Sequence, residues 1–418
     1  MAEREWREAR DMRRSIVGLA LVLLVAALLR FWHLATGLPA AALAGERDLL
    51  SRVVHTMAGG GFNPGSFDSP SLFFYVQLLV ACLHFLTGAA NGLWTSVAAF
   101  QVHDTYHAAR VASAVIGVAT VLVVYQAGAR WGGRHALLAA GLLAVLPDHV
   151  RASHYALPDV ATTFWTALTL VLTLRALERD SLQRFIWAGV AAGLAGATTY
   201  RGGLTLLLPL VAVWMSSATG PSRLAKGLGA AGAAVAAYLL AAPYTVLDLP
   251  GFLNAAAANL AGAAAGGPER AAVAAALLAT LQWPALLLAL AGFGLGLVRS
   301  VTGPGHARWV LLVSFPIVYL GSMAIGRTGR PETWLLPVLP YVVILTAIAV
   351  ISGVSLLRRF SIPRAVRQGL ITALTVAALL PPLLASIRTD RTLGRPPVTE
   401  GGNTAAPRDG MAPTPHVP

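Results

Sequence analysis

The amino-acid sequence predicts an all-α integral membrane protein of about eleven transmembrane helices, with a long first outer loop carrying juxtamembrane helices. Two observations predict it. Long apolar runs recur along the chain, at 15–29, 111–126, 203–215, 271–298 and 334–354, and several reach the roughly 20 residues needed to cross a bilayer. Basic residues punctuate the ends of those runs and seldom enter them. Of the 418 residues, 56% are hydrophobic and 12% charged, and the mean hydropathy is +0.67. A water-facing exterior cannot be built from that composition, whereas lipid accepts it. Backbone inside such runs must be helical, because lipid offers no hydrogen-bond partner.

The net charge of +13 raises nucleic acid as a partner. The distribution excludes it, since the basic residues form no single stripe and instead sit where topology signals sit. Cys82 is the one cysteine, which excludes an internal disulfide and a thiolate metal cluster. The first apolar run follows a charged segment, MAEREWREARDMRR, and no small-residue cleavage site comes after it. It reads as a retained helix rather than a removed signal.

Arg4, Arg7, Arg10, Arg13 and Arg14 hold residues 1–14 in the cytoplasm by the positive-inside rule. Helix 15–36 then leads outward. The segment 71–86 is apolar enough to span, but parity argues against it. If it stays outside, Arg130 and Arg134, then Arg175, Arg179 and Arg184, then Arg223 and Lys226, Arg299 and Arg308, and finally Arg358, Arg359, Arg364 and Arg367 all face inward. If it crosses, every later loop changes side. Residues 71–86 are therefore expected as a juxtamembrane or re-entrant helix. The remaining spans are expected at 109–129, 135–147, 158–175, 185–199, 203–218, 227–246, 272–298, 309–326, 334–355 and 369–387. These define a membrane domain over 15–388 with its first outer loop at 37–108. The tail 389–418 is rich in Pro, Gly, Thr and Arg, lacks apolar periodicity, and is expected to be disordered.

The acids divide in the same way. Between residues 37 and 388 only Glu178 and Asp180 lie inside; Glu46, Asp48, Asp68, Asp104, Asp148, Asp159, Asp248, Glu269 and Glu332 lie outside. Orientation rules barely act on acids, so a polar working surface on the outer face is the simplest cause. Three segments concentrate it: the first loop with Glu46 and Asp48, the run DHVRASHYALPDV with His154, Tyr155 and Asp159, and GRTGRPE with Arg327 and Arg330. Each also has a plain structural reading. Glu46 and Asp48 can favour a helix N-terminus, and Asp159, next to Pro158, can cap one. Arg327 and Arg330 can snorkel to headgroups, as can Tyr200 and Arg201. His55 and His84 read as incidental. Taken together, arginines that grip a lipid phosphate and carboxylates that accept a proton from a hydroxyl fit one scheme.

The strings carrying that scheme are similar to those of a known group. GERDLL followed by FNPGSFDSPSLFFY, then RVASAVIGVATVLVVYQAGARWGG, RASHYALPDVATTFW, GLAGATTYRGGLTLLLPL, APYTVLDLPGFL and TWLLPVLPY appear in order. The chain resembles the C-type (GT-C) glycosyltransferases that use polyprenyl-phosphate sugars, bacterial relatives of protein O-mannosyltransferases and aminoarabinose transferases. The resemblance implies a multi-pass protein of the cell inner membrane with an extracytoplasmic active site. It also implies inverting transfer of a sugar from a polyprenyl-phosphate donor to a lipid, glycan or protein acceptor. Glu46 is then the expected base with Asp48 beside it, and Asp159 and His154 line the pocket with Tyr155 and Tyr200. Arg110, Arg201, Arg327 and Arg330 hold the donor phosphate. A divalent ion bridging carboxylate and phosphate would be compatible. The sequence departs from the family pattern at Gly45, where an Asp is usual, at Thr199 in place of a Lys, and at Thr333-Trp334 in place of Arg-Tyr. Two other classes stay open. A flippase would place ionisable groups near the midplane, which these helix centres nearly lack. An inactive relative would be consistent with Gly45.

Overall fold

In the computed structural model, residues 2–40, 42–217, 219–264, 270–302, 305–325, 334–356 and 363–392 are described. All their regular elements are helical. Helix α1 (Ala2–Phe31) leads to α2 (Ala44–His55) and α3 (Leu72–Ala90) of the first loop. Then come α4 (Val102–Gly128), α5 (Gly133–Val145), the short α6 (Pro147–Ala152), α7 (Pro158–Glu178) and α8 (Leu182–Thr198). A 3-10 segment, Tyr200–Leu206, runs into α9 (Leu207–Met215). The rest comprises α10 (Gly220–Ala241), α11 (Tyr244–Leu247), α12 (Leu249–Ala264), α13 (Arg270–Val301), α14 (His306–Ile325), α15 (Leu339–Leu356) and α16 (Arg364–Thr392). Seven of these helices are long and apolar enough to cross a membrane, and shorter apolar helices accompany them. Boundaries shift from those expected: the first helix begins at Ala2 and stops at Phe31. The last helix continues to Thr392, into the segment expected to be disordered. Residues 393–418 lie outside the described residues.

Side-chain contacts sort the connections into two ends. At one, here the loop end, Arg110 of α4 donates to the Leu34 carbonyl at 3.3 Å. There too Tyr200 Oη donates to the Phe67 carbonyl at 2.8 Å, and Asn63 donates to Asp248 at 2.9 Å. At the opposite end Arg130 pairs with Glu178, Lys226 pairs with Asp180 at 2.7 Å, and Arg308 donates to the Arg130 carbonyl at 3.1 Å. The basic loops separated by charge parity thus gather at one end, and the first loop at the other.

Helix α3 is long and apolar enough to span, and it packs on α2, on α8 and on the N-terminal half of α4. Near its start Gln77 donates to the Ala109 carbonyl at 3.4 Å. Further along, Phe85 lies 5.6 Å from Phe100, just ahead of α4. The helix therefore runs antiparallel to the N-terminal half of α4 and ends back at the loop end. Phe73, Phe74, Leu78 and Ala81 are buried against Val53, Phe100 and Ala161 in a separate apolar cluster.

Small residues set the closest helix contacts. A Cβ added at Gly189 or Gly193 of α8 would stand 2.1 or 2.2 Å from the carbonyl oxygens of Ala230 or Ala234 in α10. Both pairs are four residues apart, one ridge on each helix, so the backbones meet directly as small-residue motifs permit in lipid. Helix α13 is broken at Gln282 (φ 60°, ψ 152°), two residues before Pro284, where proline removes a backbone donor.

Candidate functional site

Helix α5 has 13 residues, about 20 Å of rise, less than the roughly 30 Å hydrocarbon thickness. Its last carbonyls would lack partners at depth, where an unsatisfied acceptor is costly. Arg30, fully buried on α1, supplies donors: Nη1 to the Ala144 carbonyl at 3.0 Å and Nη2 to that of Leu143 at 3.2 Å. Ser386 of α16 donates to the next, Val145, at 2.7 Å. Arg30 Nη2 also meets His149 Nδ1 at 2.8 Å. Since arginine only donates, Nδ1 must be the acceptor and the imidazole proton sits on Nε2. Burial, with Arg30 second, holds His149 well below the usual imidazole range.

The first loop is anchored by one buried ion pair. Arg110 Nε and Nη2 donate to the two oxygens of Glu46, each at 2.8 Å. The backbone N–H of Ala156 adds a third bond to Glu46 at 3.0 Å. Glu46 is 0% exposed. The guanidinium carbon of Arg110 stands 5.1 Å from the Tyr155 ring centroid. Thus α2, α4 and the loop before α7 are clamped at one point. In this arrangement Arg110 is committed to Glu46, and Glu46 has no surface on which an acceptor could approach. Tyr155 is raised above its ordinary value by burial, against the pull of Arg110.

His154 is buried, with Nδ1 2.9 Å from the Val150 carbonyl and Nε2 3.1 Å from that of Trp32. Burial lowers its pKa, outweighing those two carbonyls. It ties α6 to the end of α1 rather than facing open space.

Asp48, two residues beyond Glu46 and so on the opposite, exposed side of α2, is 65% exposed and pairs with Arg52 at 3.1 Å. With Asp68 and Asp248 it borders a cavity of about 500 Å³ whose wall includes Arg52, Ser66 and Phe67. Asp248 is held there by Asn63 and by the Gly251 N–H at 3.2 Å. No three His, Cys, Asp or Glu side chains among the described residues converge as metal ligands; these acids share a cavity without converging.

Tyr200 joins this cavity to a cationic centre. Its hydroxyl holds the Phe67 carbonyl, and its ring lies 6.3 Å from Phe252. The next residue, Arg201, stacks on Trp334 with its guanidinium carbon 3.8 Å from the ring centroid. Asp159 is the second residue of α7, with Leu157 at the N-cap position, where the helix dipole favours a negative charge. Nearby, Asp148 accepts from Arg151 at 2.9 Å and from Thr280 of α13.

The structure thus brings Glu46, Arg110, Tyr155 and His154 into one buried scaffold. Beside that scaffold Asp48 borders the cavity, Tyr200 bonds to its wall at Phe67, and Arg201 stacks on Trp334. Arg327 and Arg330 lie outside the described residues. Arg30 was not singled out from the sequence, and Trp334 was noted only as a departure from the family pattern. An arginine closing an apolar run was the available signal for Arg30.

Residues 90–246 match the family model of dolichyl-phosphate-mannose-protein mannosyltransferases. No curated protein sequence is significantly similar to the chain. The fold is similar to that of the Archaeoglobus fulgidus oligosaccharyltransferase in the apo form, with a TM-score of 0.61 at 12% identity over 91% of this chain and 56% of that one. It is also similar to AglB from the same organism in complex with an inhibitory peptide and a dolichol-phosphate, with a TM-score of 0.58 at 13% identity over 91% and 56%. ArnT from Cupriavidus metallidurans bound to undecaprenyl phosphate gives a TM-score of 0.58 at 16% identity over 91% of this chain and 76% of that one. The chain spans about half the length of the archaeal enzyme. At these identities the shared property is the fold, and it is the C-type glycosyltransferase fold that the sequence motifs resemble.

Proposed function

We propose that this protein transfers a sugar from a polyprenyl-phosphate donor to an acceptor hydroxyl at the loop end of the bundle, with inversion at the anomeric carbon. The observation that carries the reading is the pairing of an exposed carboxylate, Asp48, at the rim of a cavity of about 500 Å³ with a stacked cation, Arg201, linked to that cavity through Tyr200. The lipid phosphates named in the structures of AglB and ArnT support the donor class.

In this reading Asp48 accepts the proton of the acceptor hydroxyl. The freed oxygen attacks the anomeric carbon from the face opposite the phosphate. The bond from that carbon to the phosphate oxygen breaks, and the electron pair leaves with the lipid phosphate. Arg201, fixed by Trp334, matches the charge that develops there, and a preorganised cation lowers the barrier without reorganising. Glu46 and Arg110 act earlier, as the clamp that orients α2 and hence Asp48. The roles of base and phosphate grip, expected of Glu46 and Arg110, pass to Asp48 and Arg201 because the first pair is mutually consumed.

The test is transfer of labelled sugar from a short-chain polyprenyl-phosphate donor by the purified protein, read by chromatography of the product. Activity that Asp48→Asn abolishes while Asp68→Asn leaves it intact supports the assignment. Full activity of Asp48→Asn removes the proposed base.

A further inference from the structure

We infer that a second cavity, at the opposite end of the bundle from the candidate active site, holds the phosphate of a membrane phospholipid. It has a volume of about 550 Å³ and lies between the ends of α7 and α9 and the start of α14. Its floor is apolar, with Leu174, Leu177 and Met215, and its charged lining comprises Arg130, Glu178, Asp180 and Arg308.

Among the charged residues lining this cavity, both acids are matched by cations other than Arg308. Glu178 is taken by Arg130, and Asp180 by Lys226 at 2.7 Å. Arg308 is left over. Its Nη1 donates to the Arg130 carbonyl at 3.1 Å. Its Nε is buried and has no hydrogen-bond partner among the described residues. No carboxylate pairs with Arg308 among those residues. A buried guanidinium N–H without an acceptor is costly unless a ligand completes it.

Position adds to the case. Arg308 is the third residue of α14, whose first N–H groups and dipole also favour an anion. Trp131 and Trp309, 5.7 Å apart and edge to face, flank its guanidinium at 5.8 and 6.0 Å. Tryptophan at a helix end marks the membrane–water boundary. An anion there, with apolar contact directly beneath it, describes a phosphodiester whose acyl chains run over Leu174, Leu177 and Met215. Free phosphate would use Arg308 and leave the apolar floor without a role. The site is independent of the proposed sugar transfer.

The experiment is native mass spectrometry of the full-length protein after detergent delipidation, titrated with phosphatidylglycerol, with the matching diacylglycerol, and with inorganic phosphate. One phosphatidylglycerol is expected to bind and to survive gentle activation. Arg308→Ala is expected to weaken it about tenfold, the loss of a charge-assisted bond, and Arg308→Lys less. Because Arg308 also supports the Arg130 carbonyl, Leu177→Trp provides a second variant that fills the floor and leaves the charge in place; it too is expected to reduce binding. Equal binding of diacylglycerol, displacement of the lipid by inorganic phosphate alone, or unchanged binding in both Arg308→Ala and Leu177→Trp would overturn the inference.

Discussion

Arg110 and Glu46, 64 positions apart in the chain, meet in a two-bond ion pair that is closed to solvent on both sides. Truncating one member leaves the other charged, buried and alone. Glu46→Ala is expected to cost about 3–5 kcal/mol. A Glu46→Leu, Arg110→Met double variant is expected to recover much of that loss, since apolar replacement of a whole pair is often tolerated. Fluorescence-detected size exclusion after heating checks both; a single variant as stable as the parent would contradict the clamp.

Asp48 touches little besides Arg52, so its removal should leave folding unchanged. If it is the base, Asp48→Asn lowers kcat by about 10²- to 10⁴-fold, the usual scale of general-base catalysis. The donor KM should stay nearly constant, because the carboxylate acts on the acceptor.

Arg201 should show the opposite division. If Arg201, stacked on Trp334, grips the donor phosphate, Arg201→Ala should raise the donor KM by about tenfold or more. Lys at this position keeps the charge but not the planar stack and should fall between. Trp334→Leu, which loosens Arg201 without removing its charge, is expected to resemble the Lys variant.

Acid should loosen the loop end. His149 and His154 are held below the ordinary imidazole value of 6.5 when folded. The unfolded chain then takes up protons that the folded one refuses. Stability from these two groups is complete above about pH 6.5 and is lost as pH falls further. The unfolding midpoint should drop between about pH 7.5 and pH 5, and His149→Gln should flatten that dependence. A midpoint indifferent to pH across this range would refute the argument.

Gly193→Leu should separate α8 from α10, because even its Cβ would lie 2.2 Å from the Ala234 oxygen. Overpacking of this kind costs about 1–3 kcal/mol or more. A substitution at Gly232, whose Cβ would meet nothing within 4 Å, serves as the tolerated control when unfolding temperatures are compared.

Much of the fold was legible because charge and apolar length are local properties. The two-ended grouping of the described basic loops followed from arginines at run ends. The site was less legible. Glu46 and Asp48 are neighbours with the same chemistry in sequence, but the helical turn buries one and exposes the other. Arg110 looked like any cation opening a helix until its acidic partner arrived from another helix. Arg30 fills a need created by the shortness of α5, which depends on where α5 ends in depth, and depth is not written in composition.

The hydrogen bond from Ser386 to Val145 brings the final described helix to rest beside the first loop. Ser15, near the beginning of the apolar part of α1, instead neighbours Gly133 at the far end. The early and late portions of the described chain therefore lie at opposite ends of the bundle, and with the bundle set across lipid they are expected to face different aqueous phases. Complementary halves of a split fluorescent reporter, one joined ahead of residue 13 and the other after residue 392, would stand on either side of the lipid and stay dark.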